Sequence, residues 1–218
     1  MNRELRLLMR LAVFVAAFSL VAYAPAAAAV SATDLSSKGI GSSETELGDL
    51  VADAIRAQVK ADVGFITASE LKETIIPKGD VSVEDLKNAL TYRDDTISVL
   101  SLRGDQIRRA LERSVMIYPQ KNLGFLQVSG LEFTFDPKAP KEARALSVSV
   151  GGKPLRDSQS YTVAATNSLA KGALGYFRIW QDDQITRVTK TTVLKAVEDY
   201  LQANPKLNYK RNRINLAK

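Results

Sequence analysis

The spacing of apolar and polar residues predicts helices and strands along most of the chain. Apolar residues recur every three or four positions after Ser43, and Ser43 with Glu46 forms a capping box, so a helix is predicted over 44–60. The same helical spacing predicts three more helices: a short one from Ser82, one over 105–118, and a closing one over 192–203. Alternating patterns and short apolar runs predict strands over 63–66, 96–102, 131–135, 146–150, 161–166 and 185–188.

These elements do not repeat as strand–helix–strand units. The pattern therefore favours an α+β fold over a doubly wound parallel sheet. A length of 218 residues with 45% hydrophobic content is enough for one well-buried domain and little more.

The first 29 residues have the layout of a secretory signal peptide. Arg3, Arg6 and Arg10 precede an apolar run over 11–23 and an alanine cluster over 26–29. A helix needs about 20 apolar residues to cross a bilayer, so we expect no stable membrane span after cleavage. An uncleaved anchor is the alternative.

The chain is accordingly divided into three parts. A signal peptide over 1–29 is followed by a flexible, serine-rich lead-in over 30–43 and by one domain over 44–218. Cleavage after Ala29 or Ala32 would leave a periplasmic or secreted protein.

The amino-acid composition limits the kinds of catalytic and metal site that the chain can form, because the chain contains no histidine and no cysteine. Ser-His-Asp and Cys-His catalysis are thereby excluded, and zinc and dinuclear metal hydrolases nearly always use imidazole ligands. The acidic residues are not spaced as in carboxylate metal sites. We therefore expect neither a metal nor a cofactor, and no hydrolysis by this chain alone.

The charge of the chain is mildly basic. The net charge is +6, and residues 1–29 contain three arginines and one glutamate, so their removal leaves +4. This excess favours a phosphorylated small molecule or an anionic surface as a partner, and a solvated basic face is the more common explanation of such a charge. No basic run is dense enough to indicate nucleic acid. Arg108, Arg109 and Arg113, on the outer side of the 105–118 helix, are interpreted as a solvated face.

Two glycine-punctuated loops carry the candidate binding residues. Phe125 follows Gly124 at the start of a strand, and Tyr176 follows Gly175 about fifty residues later. Two such rings can hold a flat ligand between them, and a nucleobase is the obvious one. The alternative is that both rings belong to the hydrophobic core.

The order of motifs along 42–214 resembles the C-terminal domain of the 5'-nucleotidase and UDP-sugar hydrolase family. The resemblance rests on the following segments: Glu46-Leu47-Gly48-Asp49-Leu50-Val51-Ala52-Asp53-Ala54, Ser101-Leu102-Arg103-Gly104 with Ala110-Leu111-Glu112-Arg113-Ser114, Gly124-Phe125-Leu126-Gln127-Val128-Ser129-Gly130, and 167–176. Together the four are specific, although each alone is weak. The resemblance implies a layered α/β/β/α fold.

The resemblance also implies a role for each candidate residue. Phe125 and Tyr176 match the two aromatics that sandwich the base, Arg103 matches a phosphate-contacting arginine, and Asp182 falls near the acidic residue that meets the ribose hydroxyls. Lys72 stands where the family has the arginine of its asparagine-glycine-glycine-x-arginine loop. The alternatives are a turn residue for Arg103, a surface lysine for Lys72 and a solvated turn pair for Asp182.

The sequence departs from the family pattern in the loops that are expected to lie near the phosphate. The family's arginine loop reads Thr67-Ala68-Ser69-Glu70-Leu71-Lys72, and its glycine-glycine-aspartate-glycine loop reads Gly172-Ala173-Leu174-Gly175. A lysine is a point charge without the two-pronged geometry of a guanidinium. Stacking is therefore expected to contribute more to affinity than phosphate contact does.

The resemblance implies a domain that binds a nucleotide or nucleoside, and the layout of the first 29 residues predicts that this domain is exported. Full-length family members hold two metals in an N-terminal metallophosphatase domain, which we do not expect in this chain. Two alternatives remain open at this point. The chain is a subunit that presents nucleotides to a separately encoded metallophosphatase, or it is an envelope scaffold that binds no nucleotide.

Overall fold

The computed structural model describes residues 28–217. All of the predicted signal peptide except its last two residues lies outside the described residues. The helices are α1 (Glu46–Val59), α2 (Val83–Ala89), α3 (Gly104–Val115), α4 (Asn167–Ala170) and α5 (Val193–Ala203). The strands are β1 (Ala29–Ser31), β2 (Leu35–Ser36), β3 (Val63–Thr67), β4 (Ile75–Ile76), β5 (Gly79–Val81), β6 (Thr96–Arg103), β7 (Leu126–Ser129), β8 (Leu131–Phe135), β9 (Ala145–Val150), β10 (Lys153–Pro154), β11 (Ser160–Thr166), β12 (Ile185–Thr192), β13 (Lys206–Leu207) and β14 (Ile214–Leu216).

The strands form mixed sheets. A five-stranded sheet has the order β12-β6-β11-β3-β7, in which only β11 and β3 pair in parallel. A four-stranded sheet has the order β10-β9-β8-β14, with β8 and β14 parallel. Parallel and antiparallel pairs occur in both sheets without a repeating crossover, which confirms the predicted α+β class.

Helix α1 packs its apolar side against β3, β7 and α5. Its cap differs from the predicted one. Thr45, not Ser43, accepts the Gly48 amide N–H at 3.2 Å, and the Gln127 side chain accepts from the Thr45 amide at 2.8 Å. The cap is therefore fixed by a residue of β7, far away in sequence.

Helix α3 follows β6 without a loop. The Arg103 amide donates to the Gln106 side chain at 3.0 Å and so closes the first turn. The helix contacts β6 of the five-stranded sheet and β9 of the four-stranded sheet. Its apolar side is thereby covered, and its arginines remain on the outside.

The lead-in over 30–43, predicted to be flexible, is ordered in the structure. β1 pairs with β13 on one side and with β5 on the other, and β2 pairs with β4. The buried Ser37 hydroxyl donates to the Lys72 carbonyl at 2.6 Å. The prediction used the polar composition of the segment, whereas its order comes from backbone partners that lie far away in sequence.

The end of the chain is fixed to α1 by charged groups. Glu44 accepts the backbone N–H groups of residues 212–214 at 2.8–3.0 Å. Arg213 donates to both oxygens of Asp53, at 2.8 and 2.9 Å. Beneath this pair, the carboxylate oxygens of Asp49 are buried without a hydrogen-bond partner among the described residues.

Within residues 28–217, no helix has both the length and the apolar character that crossing a membrane requires.

Candidate functional site

The loop that leads into β7 is held by side chains on either side of it. Asn122 donates to the Ser114 carbonyl at 2.8 Å and accepts the Gly124 amide N–H at 2.9 Å. The Ser114 hydroxyl accepts the Leu126 amide N–H at 2.8 Å. This arrangement places the Phe125 side chain inside the core, where it is 1% exposed.

The turn after α4, over 173–178, carries the second aromatic ring. Gly172, Leu174 and Gly175 all have positive φ, at 85°, 55° and 83°. A bulky residue such as Leu174 is strained in this conformation unless its surroundings hold it there. Arg113 provides that support, because its Nε donates to the Leu174 carbonyl at 2.9 Å and its Nη2 donates to the same oxygen. Gly175 suits this place because its φ of 83° is strained for any other residue, and a Cβ there would also displace the Arg113 guanidinium.

Tyr176 connects this turn to the Phe125 loop. Its hydroxyl donates to the Gly124 carbonyl at 2.7 Å. Its ring stacks on Trp180 with 4.9 Å between centroids and 19° between planes. The Arg113 guanidinium lies 5.5 Å from the Tyr176 ring centroid. Burial raises the pKa of the Tyr176 hydroxyl well above its usual range.

The structure brings the two predicted aromatics into neighbouring loops but shows no open slot between them. Phe125 and Tyr176 are 1% and 0% exposed. Leu174 occupies the outside of the junction, since a Cβ added at Gly124 would lie 3.6 Å from the Leu174 Cβ. The burial of both rings agrees with the alternative in which they belong to the core, and the sandwich stays a prediction.

The segment that matches the family's arginine loop has become a short 3-10 turn. Glu70 lies inside it, where its carboxylate accepts the amide and hydroxyl of Thr67. Burial raises the pKa of Glu70 to about 7, although hydrogen bonds from threonine hydroxyls and an amide oppose the shift. The Glu70 side chain fills the inside of this turn, so the turn over 68–70 offers a phosphate no cationic side chain.

The other three predicted site residues lie apart from the aromatic loops. Arg103 is exposed and bonds Asp105 at 2.8 Å. Lys72 donates to the Asn88 carbonyl at 3.1 Å, on the surface beside α2. Asp182 is an exposed residue of a 3-10 turn. Among the described residues, no hydrogen bond links any of these three to Phe125 or Tyr176.

A cavity of about 560 Å³ lies between the outer side of α3 and the turn over 173–178. We call it the arginine cavity. Four guanidinium groups contribute to its wall, together with two glutamates and two apolar side chains. Its lining residues are Arg108, Arg109, Glu112, Arg113, Met116, Glu142, Arg178 and Ile179.

The guanidinium groups of the arginine cavity are positioned mainly by neutral acceptors. Arg109 donates to the Ile179 carbonyl at 2.8 Å, and Arg113 donates to the Leu174 carbonyl. Within residues 28–217, only Arg108 of these four has a carboxylate partner, Asp157, at 3.0 Å. A carbonyl orients a guanidinium without neutralising its charge, so these carbonyl-bound guanidinium groups keep their positive charge.

The exposed aromatic of the turn is the residue after Tyr176. Phe177 is 54% exposed, and the Arg178 guanidinium lies 5.8 Å from its ring centroid. Arg178 therefore touches both the ring and the arginine cavity. From the sequence, the α3 arginines were interpreted as a solvated face. The sequence shows a cluster of arginines on one side of α3. It does not show which loop lies opposite these arginines in the fold.

Comparison with known proteins places these features in context. The family model of the 5'-nucleotidase C-terminal domain matches residues 21–181. The chain is 31% identical over 141 residues to the trifunctional nucleotide phosphoesterase protein YfkN of Bacillus subtilis, covering 61% of this chain and 10% of that protein. It is 28% identical over 132 residues to a 5'-nucleotidase of Diplobatis ommata, covering 57% of this chain and 22% of that protein.

The fold agrees with a solved structure of similar description. The 5'-nucleotidase precursor from Thermus thermophilus superposes with a TM-score of 0.78 and 24% identity, over 88% of this chain and 39% of that one. At that identity the match shows the fold. The chain thus spans between 10% and 39% of the length of these three proteins.

Proposed function

Because this chain belongs to the family of the 5'-nucleotidase C-terminal domain, we propose that it is an exported domain that binds a nucleotide or nucleoside. One observation carries the proposal. The two loops that hold the family's aromatic motifs are in contact, and the second presents an exposed aromatic ring, Phe177, beside the arginine cavity. An aromatic face next to guanidinium groups matches the base and the phosphate of a nucleotide.

The base is assigned to Phe177 because that ring is accessible and the two predicted rings are not. A base stacked on Phe177 would leave Tyr176 and its bond to Gly124 undisturbed. Leu174, which is 37% exposed, offers an apolar edge on the same turn. Binding in this position needs no opening of the core.

The proposal assigns no hydrolysis to this chain. Its sequence contains neither histidine nor cysteine, so imidazole-ligated metals and Ser-His-Asp or Cys-His catalysis are not available from its own residues. Hydrolysis of a bound nucleotide would require a separate metallophosphatase.

A second candidate function is a scaffold that binds partner proteins and no nucleotide. The observation that favours it is the burial of Phe125 and Tyr176, since neither ring is exposed for a base to stack on. The two candidates differ in a simple measurement, the binding of adenosine and AMP.

We expect the purified domain to bind adenosine, and Phe177→Ala to weaken that binding about ten- to a hundredfold, since stacking contributes about 1–3 kcal/mol per base. The measurement is calorimetric titration. Tyr92→Ala is the matched control, because Tyr92 is similarly exposed, at 57%, and lines a separate cleft beside Lys72.

Two outcomes of this titration, and one of a phosphate-release assay with AMP, are informative. An equal loss of adenosine affinity in both variants would indicate that the base binds in the Tyr92 cleft and would contradict its assignment to Phe177. Absence of binding by the parent protein would favour the scaffold. Release of phosphate from AMP upon addition of divalent metal would contradict a purely binding role.

We also expect export with cleavage after Ala29 and not after Ala32. β1 spans Ala29–Ser31 and pairs on both sides, so cleavage after Ala32 would remove the whole strand. Mass spectrometry of the protein from its native envelope fraction should find Val30 at the N-terminus. An intact chain in the cytoplasm would rule out export.

A further inference from the structure

The arginine cavity has the features of an anion site. Arg109, Arg113 and Arg178 reach it from α3 and from the turn over 173–178, and among the described residues none of the three forms an ion pair. The acceptors that hold Arg109 and Arg113 are backbone carbonyls. Their N–H groups on the free edges can therefore donate to a further acceptor.

We infer that the arginine cavity binds the phosphate group of a phosphate monoester. A phosphate offers several charged oxygens, and guanidinium groups bind such oxygens in pairs with charge-assisted hydrogen bonds. Met116 and Ile179 add an apolar wall to the same cavity, which suits an organic ester better than a free inorganic ion.

The charge within the cavity limits which anions fit. Glu112 and Glu142 also line it. The Glu112 carboxylate is mostly buried and uses one oxygen to accept the Ala145 amide N–H at 2.6 Å. The three guanidinium groups that form no ion pair within residues 28–217 exceed these two carboxylates by one charge, and Arg108 is already paired with Asp157. The cavity is therefore suited to one compact anionic group and not to a polyphosphate chain.

The arginine cavity does not coincide with the phosphate-binding residues that the sequence predicted. Arg103 is paired with Asp105, and the segment of the predicted arginine loop now holds the buried Glu70. Both features make phosphate binding near the predicted residues unfavourable. The arginine cavity is the alternative phosphate site. The inference rests on the proposed function for the identity of the ester, a nucleoside monophosphate, whose base would lie on Phe177.

The experiment compares AMP, adenosine and inorganic phosphate by titration against three variants. Arg178→Gln and Arg109→Gln remove guanidinium groups from the cavity. Arg187→Gln is the matched control, because Arg187 is an exposed arginine of β12 that donates to a backbone carbonyl, that of Val59, and does not line the cavity. We expect each cavity variant to weaken AMP binding roughly tenfold or more, as for loss of a charged hydrogen bond, with no change for adenosine or for Arg187→Gln. A higher salt concentration should reduce the difference in affinity between AMP and adenosine.

The outcomes separate this inference from the proposed function. If AMP and adenosine bind equally tightly, or if the cavity variants bind AMP like the parent, the phosphate site is overturned while nucleoside binding stands. If inorganic phosphate binds in an Arg178-dependent way and neither AMP nor adenosine binds, the anion site stands and the nucleotide proposal fails. If none of the three ligands binds, both are overturned.

Discussion

Replacing Tyr176 with alanine should lower the free energy of unfolding by about 3–5 kcal/mol, the range observed when a large aromatic is removed from a core. The ring is fully buried against Trp180, and the hydroxyl donates to the Gly124 carbonyl. Loss of the ring would leave a cavity and an unsatisfied carbonyl. Denaturant unfolding followed by Trp180 fluorescence measures the change.

Two further variants show whether the effect comes from core packing. Tyr176→Phe keeps the ring and removes only the hydrogen bond, so it should cost about 1 kcal/mol. Phe177→Ala, at the exposed neighbouring residue, should change stability by less than about 1 kcal/mol. If Tyr176→Ala is as stable as the parent protein, Tyr176 is not a core residue and the closed junction described here is wrong.

The second large effect should come from Asp49. Burial raises the pKa of Asp49 to about 9, against a weaker opposing effect of Arg213, and the Glu44 and Asp53 carboxylates raise it further. Arg213 lies 3.8 Å away but directs its hydrogen bonds to Asp53. We therefore expect Asp49 to be protonated in the folded protein at neutral pH.

The sign of the pH dependence follows from proton binding. Between the ordinary aspartate pKa of 3.8, which applies to the unfolded chain, and the folded pKa of about 9, the folded protein holds a proton on Asp49 that the unfolded chain has released. The unfolded state thus binds fewer protons, and stability falls as pH rises through this range, by roughly 1 kcal/mol per pH unit. Below the unfolded pKa, both states are protonated and the effect vanishes.

Asp49→Asn should remove this dependence, because asparagine is neutral in both states. The variant should match the parent in stability near pH 4 and exceed it by about 3 kcal/mol near pH 7. Denaturant unfolding over pH 4–8 provides the comparison.

Asp53→Asn is the matched control, with the opposite expected sign. Asp53 is ion-paired with Arg213, so its neutralisation should destabilise the protein by about 3–5 kcal/mol, as when one partner of a buried pair is removed. A parent protein whose stability does not fall between pH 5 and 8, together with no gain for Asp49→Asn, would show that Asp49 is ionised in the fold.

The regular elements of the fold were predictable from the sequence. Each of the six predicted strands and four predicted helices corresponds to an observed element. Their apolar spacing is a local property, because a residue reaches the core according to its position within its own helix or strand. The family resemblance was also confirmed, since its motifs depend on sequence order alone.

The short strands were not predictable in the same way. β2 and the last two residues of β1 were part of a predicted flexible lead-in, and each strand forms only because distant backbone groups complete its hydrogen bonds. Strands of two or three residues carry too few side chains for a periodic signal. Thr45 likewise became the helix cap through Gln127, which lies far away along the chain.

The sequence by itself determined the α+β class, the order of the elements, the family and the absence of histidine and cysteine. Only the tertiary structure decided which aromatic rings are inside and which arginines share a cavity. Phe125, Tyr176 and Phe177 are all aromatic residues of glycine-punctuated loops, but the stacking on Trp180 and the contact between two loops bury the first two and leave Phe177 at the surface. Burial of a loop residue depends on what packs over it, and that neighbour comes from a different part of the chain.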